Sequence, residues 1–127
     1  MEIISNKFGI IECNNDIECN NDDDIEYIIK KCADASLGDI WMSNETVDLA
    51  ILVNGNLACV HYFFTIGGCN YQSAGNVEAD GSTDFLAGGE IWNAPNYTVI
   101  SLQSAIECAK QFLKSKERPS CIEWNEI

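Results

Sequence analysis

Two apolar runs stand back to back in this chain, TVDLAILV and NLACVHYFF, with Asn54-Gly55 at their junction. Asn-Gly tolerates the positive φ that a two-residue hairpin turn demands, so antiparallel strands are expected over residues 46–53 and 56–64. Val47, Leu49, Ile51 and Val53 then share one face of the first strand. The second run is apolar on both faces, as in a strand buried within a sheet. A sheet with this hairpin near its centre limits what the remaining segments can do.

Residues 1–13 read as a first strand carrying Ile3, Ile4, Phe8, Ile10 and Ile11. The hexapeptide IECNND is then written twice, followed by Asp23 and Asp24. Ile25, Ile28, Ile29 and Cys32 recur at helical spacing, so a helix of about three turns starts at these aspartates. Asp23 and Glu26 resemble a capping box, acids suit the first turn, and Gly38 is the expected stop. The duplicated hexapeptide itself is read as a tolerated duplication in the strand-to-helix connection. After Gly67-Gly68, CNYQSAGN forms a third hairpin-region strand ending near Gly75. Residues 76–89 read as an acidic, glycine-rich loop with a short strand around Phe85, residues 90–92 as another short strand, and 93–97 as a turn. Ser101 caps a second helix with Leu102, Ala105, Ile106, Ala109, Phe112 and Leu113 on one face. Arg118-Pro119 ends it, and residues 121–124 make a last short strand.

The sum is one α+β domain over residues 1–127: an antiparallel sheet of about five or six strands with two main helices on one face. Two helices cover only one face, which leaves the other as a candidate contact surface. The chain has no 18-residue apolar run, so no membrane span is expected. Its first residues lack the pattern of a secretory signal, which points to the cytoplasm. Seven cysteines, odd in number and never spaced as CxxC, fit reduced thiols better than a disulfide framework.

Charge excludes more than any motif does. Twenty Asp and Glu face seven Lys and Arg, a formal net charge of −13, and no Lys or Arg falls between Lys31 and Lys110. Such a chain repels nucleic acid and anionic membranes and steers a basic protein toward itself. Solubility alone is the plainer reading of the same charge.

Signs of catalysis are sparse. His61 is the single histidine and shares a strand face with Cys59, but a Cys/His pair needs contact and a third orienting group. An ordinary half-buried histidine is the simpler account. Cys13 and Cys19 have neither a neighbouring histidine nor zinc spacing, DDDIEYI lacks the glycine of a calcium loop, and the glycine pairs are not phosphate loops. No catalytic residue, metal or cofactor is therefore assigned. Tyr62, Phe63 and Phe64 read as packing. Trp41, Tyr71, Trp92 and Tyr97 lie at element ends, where aromatics beside acids have the composition of a protein-binding hot spot.

The stretches FFTIGGCNYQSAGN, FLAGGEI and SLQSAIECAKQFLKSKERPSCIEWNEI follow a recognisable order. A strand leads to a glycine pair, then a strand with Ser and Gly, a glycine turn before Glu, and a helix running into an Arg-Pro…Trp-x-Glu ending. Gly67, Gly68, Ser73, Gly75, Gly89, Glu90, Phe112, Arg118, Pro119, Trp124 and Glu126 carry it. Over roughly residues 47–127 this resembles immunity-protein family 1 of bacterial polymorphic toxin systems, nearest to immunity proteins against secreted deaminase toxins. The resemblance implies a non-catalytic cytoplasmic protein that binds one cognate toxin domain, as a 1:1 heterodimer, and blocks its active site. It also implies structural roles for Gly67, Gly68, Ser73, Gly75, Gly89, Pro119 and Trp124.

A deaminase acting on nucleic acid needs a basic channel, which an acidic inhibitor can cover. The expected toxin-binding face therefore holds Asn70, Tyr71, Glu78, Asp80, Asp84, Glu90 and Trp92, with Asp22, Asp23 and Asp24 as a second patch. Three other readings stand beside it: immunity against a nuclease toxin, an acidic DNA mimic inhibiting another nucleic-acid enzyme, and a small enzyme using Cys59, His61 or Cys69.

Overall fold

The computed structural model describes residues 2–8, 11–13, 17–18, 21–43, 46–64, 67–76, 78–88 and 90–127, with side chains from Asn21 onward. The strands are β1 (Glu2–Phe8), β2 (Ile11–Cys13), β3 (Ile17–Glu18), β4 (Leu37–Ser43), β5 (Val47–Asn54), β6 (Leu57–Phe64), β7 (Tyr71–Ser73), β8 (Ser82–Ala87), β9 (Glu90–Pro95), β10 (Ile100–Ser101) and β11 (Trp124–Glu126). The helices are α1 (Asp22–Asp34) and α2 (Leu102–Ser115). One antiparallel sheet runs in the order β11-β7-β6-β5-β4-β1-β2, with the two-residue strands β10 and β3 pairing with β6 and β1 off that path. The fold is α+β, as expected.

The central hairpin forms, with its turn one residue later than the Asn-Gly pair suggests. Asn54 still pairs with Leu57, so Gly55 and Asn56 make the turn. Gly55, at φ 58°, occupies the left-handed conformation that a side chain would strain.

Side-chain alternation divides the sheet into two faces. On one, Ile40, Met42, Leu49, Ile51, Val53, Val60 and Tyr62 pack with Ile25, Ile28 and Ile29 of α1 and Ile106 and Phe112 of α2 in the main core. Each such fully buried side chain contributes roughly 1.5–3 kcal/mol relative to exposure. Lys110 of α2 reaches Glu26 of α1 at 2.6 Å, joining the helices at their rim.

The opposite face is not bare. Strands β8 and β9 pair with each other as a separate hairpin, where a loop with short strands was expected. Phe85 and Ala94 of this hairpin pack on Leu52 and Cys59 of the sheet. Its polar glycine-rich sequence hid it, since only Phe85 and Leu86 are bulky and buried on β8.

Other local expectations shift. The α1 cap is Asn21, whose Oδ1 accepts from the Asp24 amide at 3.0 Å; Glu26 instead binds Lys30 and Lys110. Ser36, at φ 75°, reverses the chain after α1, and Gly38 lies inside β4, a strand the helix-stop reading concealed. Ser101 caps α2 as expected, accepting from the Ser104 amide at 3.1 Å. That helix ends at Lys116, which takes the left-handed C-cap conformation two residues ahead of Arg118. Residues 93–95 continue β9, a 3₁₀ turn spans Asn96–Thr98, and the last strand begins at Trp124.

Candidate interaction surface

The site residues expected from sequence fall into three places. Asp84, Glu90 and Trp92 all belong to the β8–β9 hairpin, where the register puts Glu90 and Trp92 on the face of Phe85 and Asp84 on the other. Glu78 and Asp80 lie on the segment leading into it, where the Asp80 carbonyl accepts from Asn96 Nδ2 at 2.8 Å. Glu78, Asp80, Asp84 and Glu90 are all exposed. Asp84 is tied across the hairpin, accepting from Asn93 Nδ2 at 2.7 Å while its carbonyl accepts from Asn54.

Asn70 and Tyr71 belong elsewhere. Asn70 shapes the β6–β7 connection, its Oδ1 accepting from the Phe64 amide and its carbonyl from that of Ile127. The Tyr71 ring meets Tyr62 of the main core at 6.4 Å and lies under the Arg118 guanidinium at 4.0 Å. Asp22, Asp23 and Asp24 open α1, hence on the helix side of the sheet, opposite the hairpin. Asp22 is ion-paired there with Lys114 at 3.1 Å.

The sequence pattern carrying the family resemblance has local structural work to do. Gly67 and Gly68, at φ 61° and 106°, turn the chain after β6. Buried Ser73 accepts from the Val60 amide and donates to the Thr98 carbonyl at 2.6 Å, standing in for a missing ladder bond. At Gly75 a Cβ would lie 2.1 Å from the Val99 carbonyl oxygen. Pro119 is buried, and its carbonyl accepts from the Trp124 indole at 2.7 Å. Gly89 lies outside the described residues, as do the Cys13 and Cys19 side chains.

Cys59 and His61 make a poor reactive pair. Their Sγ and Nε2 atoms stand 3.9 Å apart, with Cys59 also held among Thr98 and Ser73. Burial pushes the Cys59 thiol up, while burial lowers His61 to about 4 against a hydrogen bond donated to Gln72 that raises it. A neutral thiol beside a neutral imidazole is the reverse of the thiolate–imidazolium couple that activates sulfur. Cys69 is exposed, but Glu126 beside it raises its thiol too. Among the described residues no three His, Cys, Asp or Glu side chains gather as metal ligands, and no helix is long and apolar enough to cross a membrane.

A cluster the sequence reading did not assemble lies beside the hairpin. Trp41 of β4 and Phe63 of β6 stack at 6.0 Å with an 11° angle between planes. They flank β5 at Ala50 and Asp48, where Ala50 is small enough to leave room above it. His61 meets Phe63 at 5.6 Å and Trp92 at 5.0 Å, linking the stack to the hairpin. The Trp41 indole donates to Asp39 Oδ2 at 3.1 Å, and the same oxygen accepts from the Gly88 amide at 2.7 Å. Asp39, fully buried, thus pins both the ring and the hairpin turn, leaving its Oδ1 without a hydrogen bond among the described residues. The interrupted apolar pattern of LGDIWMS did not mark β4 as a strand, so nothing in the sequence placed Trp41 beside Phe63.

Charge is segregated by the same architecture. The described basic side chains, Lys30, Lys31, Lys110, Lys114, Lys116 and Arg118, lie on α1, on α2 or just after it. Strands β4 to β10 and all their connections fall in the stretch without Lys or Arg. Among the side chains described, from Asn21 onward, the hairpin side therefore carries acids and no cation.

No family model matches the chain. Over 82 residues it is 34% identical to a protein of Burkholderia cenocepacia (strain H111) named double-stranded DNA deaminase immunity protein, a match covering 62% of this chain and 64% of that protein. The matched region is thus less than two thirds of the relative's length. Over those residues the similarity supports the resemblance to immunity proteins of the kind directed at deaminase toxins.

Proposed function

We propose that the protein is a cytoplasmic, non-catalytic immunity protein that binds one toxin domain, a deaminase acting on DNA, and neutralises it by covering its basic cleft. The observation carrying this is the segregation of charge: every Lys and Arg side chain described, from Asn21 onward, belongs to the helices or the segment after α2, and β4 to β10 contain acids but no Lys or Arg. A nucleic-acid-modifying enzyme must hold a polyanion and so presents the complementary surface. The similarity to a protein named for immunity to a double-stranded DNA deaminase points to the same class of partner.

On this reading the primary contact is made by Glu78, Asp80, Asp84, Glu90 and Trp92, while Asn70 and Tyr71, and Asp22, Asp23 and Asp24 behind the sheet, are separate secondary patches. Charge complementarity there raises the association rate more than the final affinity. Two experiments test the proposal. Bacteria expressing the toxin gene adjacent to this one should survive only when this protein is co-expressed; survival without it would overturn the reading. Changing Asp80 and Asp84 together to Lys should weaken toxin binding and flatten its salt dependence, and unchanged affinity would exclude the hairpin acids. An acidic DNA mimic would instead bind several unrelated DNA-binding proteins in the same assay.

A further inference from the structure

We infer that the ring cluster of Trp41, His61, Phe63 and Trp92 above Ala50 receives an arginine side chain from the basic partner. The inference rests on the proposed function for the existence of that partner, and adds the position and chemistry of a central contact.

Three observations carry it. First, all four rings are only half-buried although they touch one another, so ring surface remains open above a fully buried Ala50. Second, carboxylates lie beside the rings. Asp48 is directly opposite Phe63 in the β5–β6 register and accepts from Ser43 Oγ through Oδ1. Glu90 opens β9 next to the turn that Asp39 holds. Third, none of the Lys and Arg side chains described, from Asn21 onward, occupies this face, and His61 adds no charge, because burial keeps its imidazole neutral near pH 7.

Aromatic faces flanked by acids suit a planar cation. A guanidinium stacks on rings and forms paired hydrogen bonds with carboxylates, whereas an ammonium is more strongly hydrated and does neither as well. Tryptophan and arginine are also the residues enriched at interface hot spots. The occupant is unlike nucleic acid or a second copy of this chain, both of which the net charge of −13 repels.

The three tryptophans provide the test. Trp124 lies at the far side of β7, its indole bonded to Pro119, and serves as an internal reference. Oligo-arginine and oligo-lysine peptides of equal length are titrated into the protein at low salt while the indole N–H resonances are followed by NMR. Oligo-arginine should move Trp41 and Trp92 but not Trp124, and bind several-fold more tightly than oligo-lysine. Phe63→Leu and Asp48→Asn should each weaken it about three- to tenfold. Shifts confined to the amides of Asp22 to Asp24, uniform shifts, or equal response to both peptides would overturn the inference.

A second arm uses the toxin domain encoded beside this gene. Phe63→Leu and Asp48→Asn should each weaken the complex about tenfold, while Leu57→Ala at the other end of β6 leaves it unchanged. Unaltered affinity in both variants, each verified as folded by its Trp124 resonance and thermal midpoint, would overturn the site. Failure of the wild type to bind this toxin would overturn the proposed function instead, with the peptide arm still deciding the site.

Discussion

His61 gives the protein a pH dependence that can be calculated and isolated. The imidazole packs among Phe63, Trp92 and Cys59, and burial lowers it from 6.5 to about 4. In the unfolded chain the same ring takes up a proton near its ordinary value, so acid favours unfolding through this group. Its contribution to stability is complete above pH 6.5 and is lost as pH falls toward 4. Between about pH 7.5 and about pH 5 the loss amounts to roughly 2 kcal/mol. For a chain of this size that lowers the melting temperature by roughly 6–10 °C.

Acidic residues complicate the raw curve but not the comparison. Protonating carboxylates in so negative a chain relieves repulsion and raises stability as pH falls, in wild type and variant alike. Glu26, held at about 2 by its hydrogen bond to Lys110 and by Lys30, loses its contribution only as pH falls below 4.5 toward that value. It therefore acts mostly below the His61 window. The assay is urea denaturation of wild type and His61→Gln across that range, with Gln chosen as a neutral polar replacement. The difference in stability between the two should change by about 2 kcal/mol, the wild type losing more in acid. Because His61 is the single histidine, its ring proton resonance also reports the folded titration without ambiguity. Parallel stability curves, or a midpoint near 6.5 in the folded protein, would refute the burial argument.

Three further outcomes follow from particular contacts. Gly75→Ala should destabilise the fold by about 3 kcal/mol or more, read by chemical denaturation, because the added methyl meets the Val99 carbonyl at 2.1 Å and backbone cannot retreat cheaply. Phe85→Ala removes the largest fully buried side chain of the β8–β9 hairpin; amide exchange should accelerate in β8 and β9 by up to a few hundredfold, a loss of about 3 kcal/mol, while β5 and β6 remain protected. Brief iodoacetamide treatment of the native protein, followed by peptide mapping, should label Cys69 and Cys121 and spare buried Cys32, Cys59 and Cys108.

Much of the architecture was written in local pattern. The apolar runs around Asn54-Gly55 required a hairpin whatever surrounded them, and the spacing of Ile25, Ile28, Ile29 and Cys32 required one buried helical stripe. Ser101 capped α2 because its side chain reaches an amide three residues on, a purely local event. The stretch without Lys or Arg likewise belongs to the sequence alone.

Tertiary structure decided the rest. LGDIWMS has an interrupted apolar pattern, and it becomes a strand only because β1 and β5 supply hydrogen bonds on both sides. The glycine-rich segment after Gly75 becomes a hairpin because Phe85 and Ala94 find Leu52 and Cys59 beneath them. Folding then turned a linear bias of charge into a sided one, with the cationic side chains described from Asn21 onward on or beside the helices, and only acids on the β8–β9 hairpin. It also separated Tyr71 from Trp92, neighbours in the expected site, and brought Trp41 to Phe63 from strands two positions apart. No periodicity encodes that meeting, because it depends on strand order, register and the small side chain of Ala50 between them.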